Sequence, residues 1–320
     1  MWYNRYRLVI KMFEKITNSC KYVMDDSKYV KINYDILDKF IDNIECKELK
    51  NWLLYNPYNL LSMNIDEIIN FLLIFESIDY SFWGDPKWSI KVEDSKKDGS
   101  DALLYIMLNH IKINGLSSFE NISFNEFKVL LSGNVEMPLL RERFDTIKKV
   151  YKIVNEKMNG DFYKSISRYA KDEELFEYII NNFECFKDER EYGNHKIYFY
   201  KLAQLLTSDI LHLREELEKI SVDYSNLIGC ADYKIPQTLR ALGIIEYNEE
   251  LSEIVDSKKE IKPSSKFEVE IRASQIVVLD YIKNHLNGFS SMDINDYLFM
   301  YSKKVKDIVK PYHLCRNTNY

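Results

Sequence analysis

Hydrophobic residues recur every three to four positions over most of the chain, which is the spacing of one face of an amphipathic α-helix. YDILDKFIDNIE, IDEIINFLLIFESI, FEVEIRASQIVVLDYIKNHL and DINDYLFMYSKKVKDIV all show this spacing. The period breaks at SFWGDPKWSIKVED, where Gly84-Asp85-Pro86 predicts a turn and WSIKVED alternates like a short strand. KKDGSD, just after it, predicts a loop. The pattern therefore predicts a mostly α-helical protein, a single domain over residues 1–320, with a small β insert near residues 82–93.

Two prolines are predicted to open helices. Pro138 in MPLLRER and Pro236 in ADYKIPQ are placed at the first helical position, because proline has no N–H to lose there and its φ angle suits a helix. Asp232 then lies just before a helix N-terminus, where free N–H groups and the helix dipole favour an anion. Two interpretations of Asp232 stay open. It is either a carboxylate cap, worth about 1 kcal/mol, or an ionised carboxylate that orients water or stabilises positive charge on a sugar.

Composition and charge narrow the classes of function. The 320 residues include only 9 glycines and 6 prolines and carry a formal net charge of -6, so the basic surplus typical of proteins that bind duplex nucleic acid is missing. No apolar run approaches the roughly 20 residues of a membrane-spanning helix. Five cysteines without CxxC spacing indicate a reduced, cytoplasmic protein. The five histidines show no metal-binding spacing, and no P-loop, GxGxxG or GxSxG is present, so we expect neither a metal nor another cofactor.

The irregular SFWGDPKW patch has two interpretations. It could be a tryptophan-anchored turn that packs on a helix. Alternatively, Phe82 and Trp83 could form a stacking wall for a flat heterocycle, since aromatic faces stack on bases and a nearby carboxylate accepts from N–H donors. Asp85 in the turn and Asp79 just before it would supply that carboxylate.

Basic residues give two further candidates. YFYKLAQLL places Lys201 and Gln204 on one face of an otherwise apolar helix, because residues i and i+3 lie together. Lys201 could reach out to water along its apolar stem or could hold a phosphate group. In MPLLRER, we expect Arg143 to pair with Glu142 or with another surface acid.

The ordered set SFW, PLLRER, FYKLAQLL, ADYKIPQ with LG, EVEIR, and PYH with a terminal Tyr resembles the queuosine salvage protein family. The likeness runs from about Val30 to Tyr320. Proteins of that family look like helical relatives of DNA glycosylases and act as queuosine 5′-phosphate N-glycosidases that release queuine. This chain departs from the family pattern twice. Asp79-Tyr80 replaces an expected Asn-Phe before SFW, and an expected Gly-Tyr-Trp is replaced around Ser100–Ala102.

The resemblance implies a role for each candidate. Asp232 would stabilise an oxocarbenium-like state and deprotonate the incoming water. Because a 7-deazaguanine leaving group has no N7 to protonate, hydrogen bonds at its remaining edge would assist departure, from Asp79 or Asp85 with Trp83 stacking. The basic residues in family-like positions for the 5′-phosphate are Lys201, Lys234, Arg272 and Arg316. The other substrate-binding candidates are Phe82, Gln204 and Tyr233.

Three alternative functions stay open on the sequence. The protein could hydrolyse unphosphorylated queuosine, which the basic set disfavours mildly. It could bind or deliver queuine without catalysis, with Asp232 only a cap. It could be a DNA glycosylase, which the net charge disfavours. The partners expected from the favoured interpretation are a small-molecule nucleotide, queuosine 5′-phosphate, and the product queuine, with no nucleic acid and no membrane.

Overall fold

A computed structural model of the chain describes residues 2–44, 51–55, 58, 60–304 and 309–320. Within these residues the fold is mostly helical, as the periodicity predicts. The α-helices, in chain order, are α1 (Trp2–Asp25), α2 (Tyr34–Asp42), α3 (Ile65–Glu76), α4 (Gly99–Asn114), α5 (Ser118–Asn121), α6 (Phe124–Leu130), α7 (Leu140–Met158), α8 (Phe162–Ile166), α9 (Asp172–Asn182), α10 (Lys201–Leu213), α11 (Lys234–Ala241), α12 (Glu249–Asp256), α13 (Lys266–His285) and α14 (Ser291–Lys304). In this part of the chain, no helix is long and apolar enough to cross a membrane.

Short strands within the described residues form three antiparallel pairs. The strands are β1 (Val30–Ile32), β2 (Ser89–Val92), β3 (Ser95–Asp98), β4 (Glu189–Tyr192), β5 (His195–Tyr198) and β6 (Ile245–Tyr247). β1 pairs with β6, β2 with β3, and β4 with β5. Ser89 lies opposite Asp98, and Glu189 lies opposite Tyr198. Short 3₁₀ helices span Trp52–Tyr55, Leu60–Ser62 and Glu184–Phe186, and a π-helical turn spans Arg214–Glu218.

Helix α13 lies at the centre of the core. Every residue from Glu268 to Leu279 is buried, and the helix packs against α1, α11 and α14. Since a helix that is buried on all sides needs partners for its polar side chains, each acid of EVEIR is bound. Glu270 accepts backbone hydrogen bonds from residues 28–30 and one from the Tyr192 hydroxyl at 2.8 Å. The buried polar residues of α13 therefore tie β1 and β4 to the core.

The β insert is confirmed, but its extent differs from the prediction. Its first strand, β2, falls within residues 82–93. The loop prediction for KKDGSD is wrong, because Lys96–Asp98 belongs to β3 and α4 already begins at Gly99. Strands β1, β4, β5 and β6 were not predicted. The ends of YDILDKFIDNIE and DINDYLFMYSKKVKDIV fall on residue 45 and residues 305–308, which lie outside the described residues.

Both proline predictions are wrong by two residues, in opposite directions. Helix α7 begins at Leu140, after Leu139 with a φ of 52° in the left-handed region, so Pro138 precedes the helix. Helix α11 begins at Lys234, so Pro236 is its third residue. The first-turn N–H groups have no acceptor within the helix, so proline at this position loses no helical hydrogen bond.

Arg143 is buried and does not pair with a surface acid, so that prediction is wrong. Its guanidinium donates to the backbone carbonyls of Ile78 and Tyr80, and its Nε donates to the carbonyl of Pro138 at 3.0 Å. The carbonyls belong to the segment that enters SFW. Arg143 therefore fixes the path of that segment from α7.

Candidate active site

Asp232 caps helix α11 through one of its two carboxylate oxygens. The other oxygen, Oδ2, takes no part in the cap. Its Oδ1 accepts hydrogen bonds from the backbone N–H groups of Lys234 at 2.9 Å and Ile235 at 3.0 Å. None of the described residues donates a hydrogen bond to Oδ2. The geometry therefore accommodates both interpretations of Asp232, because capping uses only half of the carboxylate.

The surroundings of Asp232 strengthen it as a base. Burial raises the pKa of its carboxyl group, whereas the N–H of Ile235 and the positive charges of Lys201 and Lys234 act to lower that pKa. The raised pKa makes the ionised carboxylate a better proton acceptor near neutral pH.

Gln204 is fully buried and holds the loop that leads to Asp232. Its Oε1 accepts from the N–H groups of Ile228 at 2.7 Å and Gly229 at 3.1 Å. Its Nε2 donates to the carbonyls of Phe199 at 2.8 Å and Gly229 at 2.9 Å. Because an amide side chain offers two donors and two acceptor positions, Gln204 has no capacity left for a substrate. We therefore propose a positioning role for Gln204 in place of a substrate contact.

Two more amides hold the same loop from the opposite side. Gln275 accepts from the N–H of Asp232 at 3.2 Å and donates to the carbonyl of Cys230 at 2.5 Å. Asn295 accepts from the N–H of Cys230 at 2.9 Å. These contacts fix the backbone on both sides of Ala231, so α13 and α14 set the position of the carboxylate.

Arg272 is fully buried beneath the loop. It forms ion pairs with Asp188 and with Glu268, whose Oε1 lies 3.3 Å from Nη1, and its Nε donates to the carbonyl of Ala231 at 2.9 Å. Its charge is therefore compensated by two carboxylates. We propose a positioning role for Arg272 in place of the phosphate contact that the resemblance implies.

Lys201 links three helices at the site. Its Nζ lies 3.3 Å from Oδ2 of Asp79, and Oδ1 of Asp79 accepts from the Ser100 hydroxyl at 2.6 Å. Burial acts to lower the pKa of Lys201, but the charges of Asp79 and Asp232 outweigh it and the pKa is raised. Lys201 as a whole residue is only 7% exposed. The start of α10, the end of α3 and the start of α4 thus meet around one buried cation.

The two residues after Asp232 point towards a tyrosine of the C-terminal segment. The ring centroid of Tyr233 lies 4.8 Å from that of Tyr312, and the Nζ of Lys234 lies 4.7 Å from the centroid of the same ring. Tyr233 and Lys234 are both partly buried. The structure therefore brings Asp79, Lys201, Asp232, Tyr233 and Lys234 into one neighbourhood.

Two of the SFWGDP candidates, Trp83 and Asp85, line a groove whose lining residues do not include Asp79, Lys201 or Asp232. Trp83, Asp85 and Arg316 line a groove of about 520 Å³ together with the start of α7. The guanidinium carbon of Arg316 lies 4.0 Å from the Trp83 ring centroid, and its Nε lies 3.5 Å from a Glu260 oxygen. Phe82 is buried beside Arg143. One face of the Trp83 ring is therefore covered, and base stacking on Trp83 stays a prediction.

A cluster of buried acids lies next to Lys201, and the sequence analysis missed it. Glu76 is fully buried, and its burial, followed by the negative charge of the neighbouring Asp209, raises its pKa. Burial raises the pKa of Asp209 to about 6 and that of Asp296 to about 8. Among the described residues, no group of His, Cys, Asp and Glu side chains is arranged to hold a metal ion.

The acid cluster is closed on one side by a short segment. Asn51 and the Trp52 indole donate to the two oxygens of Asp209 at 2.7 and 2.8 Å. Burial raises the pKa of the Cys230 thiol in the loop, and the charges of Asp296, Asp232 and Asp209 raise it further, whereas Lys201 opposes this rise. The signal in the sequence was an acid placed within an apolar helical run, at IFESI, LLTSDILHL and DINDYLF.

Taken together, the described residues form a mostly α-helical protein. Its candidate site contains the Asp232 carboxylate, of which one oxygen caps a helix, together with the buried ammonium group of Lys201 and a cluster of buried acids. A family model described as queuosine salvage protein matches residues 59–320. The chain therefore belongs to the queuosine salvage protein family, and the resemblance found from its motifs is confirmed.

Curated relatives carry one shared name, queuosine 5′-phosphate N-glycosylase/hydrolase. The relative from Sphaerobacter thermophilus is 26% identical over 265 residues, which cover 80% of this chain and 82% of the relative. The relative from Nematostella vectensis is 27% identical over 270 residues, 74% of this chain and 77% of the relative. The relative from Mus musculus is 27% identical over 276 residues, 79% of this chain and 82% of the relative.

Proposed function

We propose that this protein hydrolyses the N-glycosidic bond of queuosine 5′-phosphate and releases queuine. The observation that carries the proposal is the Asp232 carboxylate, which caps α11 through Oδ1 and leaves Oδ2 without a donor from the described residues. Family membership and the shared name of the curated relatives support the substrate.

In the proposed hydrolysis, the Asp232 carboxylate acts in two successive steps. As the bond between C1′ and the base nitrogen breaks, its electron pair leaves with the base and positive charge develops on the ribose, which the Oδ2 charge stabilises. Water then attacks C1′, and its proton passes to Asp232, whose raised pKa suits the transfer. That proton then passes to the base nitrogen that took the electron pair, so queuine leaves neutral and Asp232 is ionised again. The products are queuine and ribose 5-phosphate. Lys201 keeps enough Asp232 in the ionised form for both steps.

We propose that the base binds on the side of the site where the acids Asp79, Glu76 and Asp209 lie. A guanine-like edge presents N–H donors, and the aminomethyl nitrogen of queuine is a cation at neutral pH, so both need carboxylate oxygens. Asp79 pairs with Lys201 there, and the charges of Asp209, Asp79 and Lys201 all act on Glu76. The alternative base position, on Trp83 and Asp85, lies in the separate groove under Arg316.

The net charge supports a free nucleotide as the substrate. A surface with a formal net charge of -6 does not favour polyanionic nucleic acid. We also propose a cytoplasmic location, since the four cysteines within the described residues are free thiols and reduced thiols are typical of that compartment.

The proposal is tested by incubating the protein with queuosine 5′-phosphate and with queuosine, and by measuring released queuine by mass spectrometry. We expect release from the nucleotide, and a loss of about 10²–10⁴-fold in Asp232→Asn. Asparagine retains an oxygen that can cap α11, so the fold should survive. Asp161→Asn is the matched control, because Asp161 caps α8 through a 3.0 Å bond to the N–H of Lys164.

Two results would contradict the proposal. An Asp232→Asn protein with near-normal turnover would reduce Asp232 to a cap. A wild-type protein that binds queuine in calorimetry but releases none from either substrate would be a binding protein instead of an enzyme.

A further inference from the structure

We propose that Tyr320 is a positioning residue for the hydrolysis and that it acts on Asp232 through Arg272. The proposal rests on the proposed function and adds a residue to which none of the roles above applies. Tyr320 belongs to the C-terminal segment, residues 312–320, which begins within PYH. A chain of contacts leads from this segment to the backbone next to Asp232.

Two aromatic rings lie against the guanidinium of Arg272. Its central carbon lies 4.0 Å from the ring centroid of Phe199 and 4.1 Å from that of Tyr320. A cation at this distance is attracted to the face of a ring, most strongly where water is excluded, and both Arg272 and Tyr320 are buried. The two rings therefore limit the rotation of the guanidinium, whose Nε donates to the carbonyl of Ala231 at 2.9 Å.

The hydrogen bond from Arg272 ends one residue before Asp232. The carbonyl of Ala231 and the N–H of Asp232 belong to one planar peptide unit, so a tilted guanidinium would move the peptide that carries the Asp232 side chain. The N–H of the same unit donates to Gln275 at 3.2 Å. Both polar atoms of this peptide are thus held by side chains, and Tyr320 covers one of those side chains.

Tyr320 is itself held through its hydroxyl group and its backbone. The hydroxyl lies 3.2 Å from Nε2 of the buried His313. Burial and the positive charge of Arg272 lower the pKa of His313 to about 3, so this imidazole is neutral near pH 7. The N–H of Tyr320 donates to Oδ1 of Asn317 at 3.2 Å, and its main-chain oxygen accepts from the N–H of Ser81 at 2.9 Å. The ring that covers Arg272 therefore has a fixed place.

Ser81 connects this arrangement to the SFW segment. Besides its N–H contact to Tyr320, its hydroxyl donates to the carbonyl of Asn317 at 2.7 Å. Its φ is 42°, in the left-handed region that residues other than glycine seldom adopt, so both contacts stabilise an uncommon backbone conformation. Tyr320 thus links the SFW segment to the cation that supports the loop of Asp232.

The test compares Tyr320→Leu with Tyr320→Phe. Leucine removes the ring from Arg272, whereas phenylalanine keeps the ring and loses the hydroxyl contact to His313. We expect Tyr320→Leu to lose about 10- to 100-fold in kcat for queuosine 5′-phosphate, because a misplacement of about 1 Å can cost about 100-fold. Its KM should stay within about threefold, since substrate binding is not what the ring supports. Tyr320→Phe should stay within about threefold of the wild type in kcat, because the ring face binds the cation.

Tyr169→Leu is the matched control for these variants. The Tyr169 ring lies 4.8 Å from the guanidinium carbon of Arg168, an exposed residue, so the same substitution removes the same kind of contact from the surface. We expect kcat to be unchanged in this variant. If Tyr320→Leu does not fold, Tyr320→Met takes its place, because methionine also removes the ring and fills more of its space.

A double-mutant cycle with Arg272→Lys distinguishes positioning from a general loss of packing. Lysine keeps the charge but lacks the planar fork of the guanidinium. If Tyr320 acts through Arg272, the double variant should lose no more than about twofold in kcat beyond the slower single variant, whereas independent effects would multiply. Multiplied losses, or a loss that lies in KM alone, would overturn the proposal.

Hydrogen–deuterium exchange gives a readout that does not depend on turnover. In Tyr320→Leu the N–H groups of residues 228–235 should exchange about tenfold faster than in the wild type, because the loop opens more often when its support is weakened. Tyr320→Phe and Tyr169→Leu should leave this exchange unchanged. Unchanged exchange or full kcat in Tyr320→Leu would overturn the proposal. If the wild type cleaves neither substrate, the proposed function fails, and the exchange measurement still decides whether Tyr320 holds the loop.

Discussion

The carboxylate of Asp232 has its two oxygens in different surroundings. Oδ1 accepts two backbone hydrogen bonds that fix its orientation, and burial of the group raises its pKa. Lys201 opposes that rise from a position where Asp79 also holds it. The pKa of Asp232 therefore depends on Lys201, which lies 31 positions earlier in the chain, and on helix α11, which begins two residues after Asp232.

The ammonium of Lys201 is expected to set the pH range of activity. In Lys201→Met, the charge that lowers the pKa of Asp232 is gone, so that pKa rises further. The acid limb of the kcat/KM profile should therefore move to higher pH, because only the ionised carboxylate reacts. Lys21→Met, which removes a cation paired with Asp280, is the control and should leave the limb in place.

The same experiment separates two roles of Lys201. An unmoved acid limb, with a loss confined to queuosine 5′-phosphate, would mean that Lys201 contacts the phosphate as the resemblance implies. A shifted limb with similar losses for both substrates would mean that it acts through Asp232.

At the scale of elements, the loop over residues 228–232 is held by helices α10, α13 and α14. Gln204, Gln275 and Asn295 each bind backbone groups of this loop. Gly229 allows the close approach, because its φ is 118° and a Cβ there would lie 2.4 Å from a Leu279 methyl group. Helix α13 thus forms part of the core and also supports the backbone at Asp232.

Gln275→Leu should separate positioning from stability. The change leaves the N–H of Asp232 and the carbonyl of Cys230 without their partner, and each such buried group costs about 1–3 kcal/mol. We expect a lower melting temperature and a larger loss in kcat than in affinity for queuosine 5′-phosphate. Asn155→Leu is the control, because it removes an exposed hydrogen bond from α7 to Glu120. A stable variant with full kcat would show that Gln275 does not position the carboxylate.

Across the whole molecule, the buried acids link protonation to stability. The pKa of Asp296 is raised to about 8 and that of Asp209 to about 6, whereas an aspartate in an unfolded chain titrates near about 3.9. The folded protein therefore binds more protons than the unfolded chain between these values. Stability from this cluster is fully present below about pH 4 and is lost as the pH rises through the raised pKa values.

Urea denaturation across a pH series should show this dependence. We expect the free energy of unfolding to fall between about pH 4 and pH 8, by at most about 1.4 kcal/mol per pH unit for each retained proton. Asp296→Asn should flatten the upper part of the curve, since asparagine cannot titrate. Asp94→Asn, in the exposed turn of the β insert, should not. An identical slope in the Asp296 variant would place the titration elsewhere.

The sequence by itself determined the helical class, the family and the place of Asp232 before a helix. Periodicity predicted α3, α10 and α13 because burial of one helical face depends on local spacing. ADYKIPQ predicted an acid near a helix N-terminus because capping is also local. Single-domain organisation over residues 1–320 stays a prediction.

Only the tertiary structure determined which charged residues form ion pairs. Lys201 pairs with Asp79 and Arg272 with Asp188, and each pair joins segments that are more than 80 residues apart. The spacing of a charged residue shows which side of its own helix it occupies, but not which carboxylate lies across from it. For the same reason the buried acid cluster and the second strand of the β insert emerged only from the packed fold.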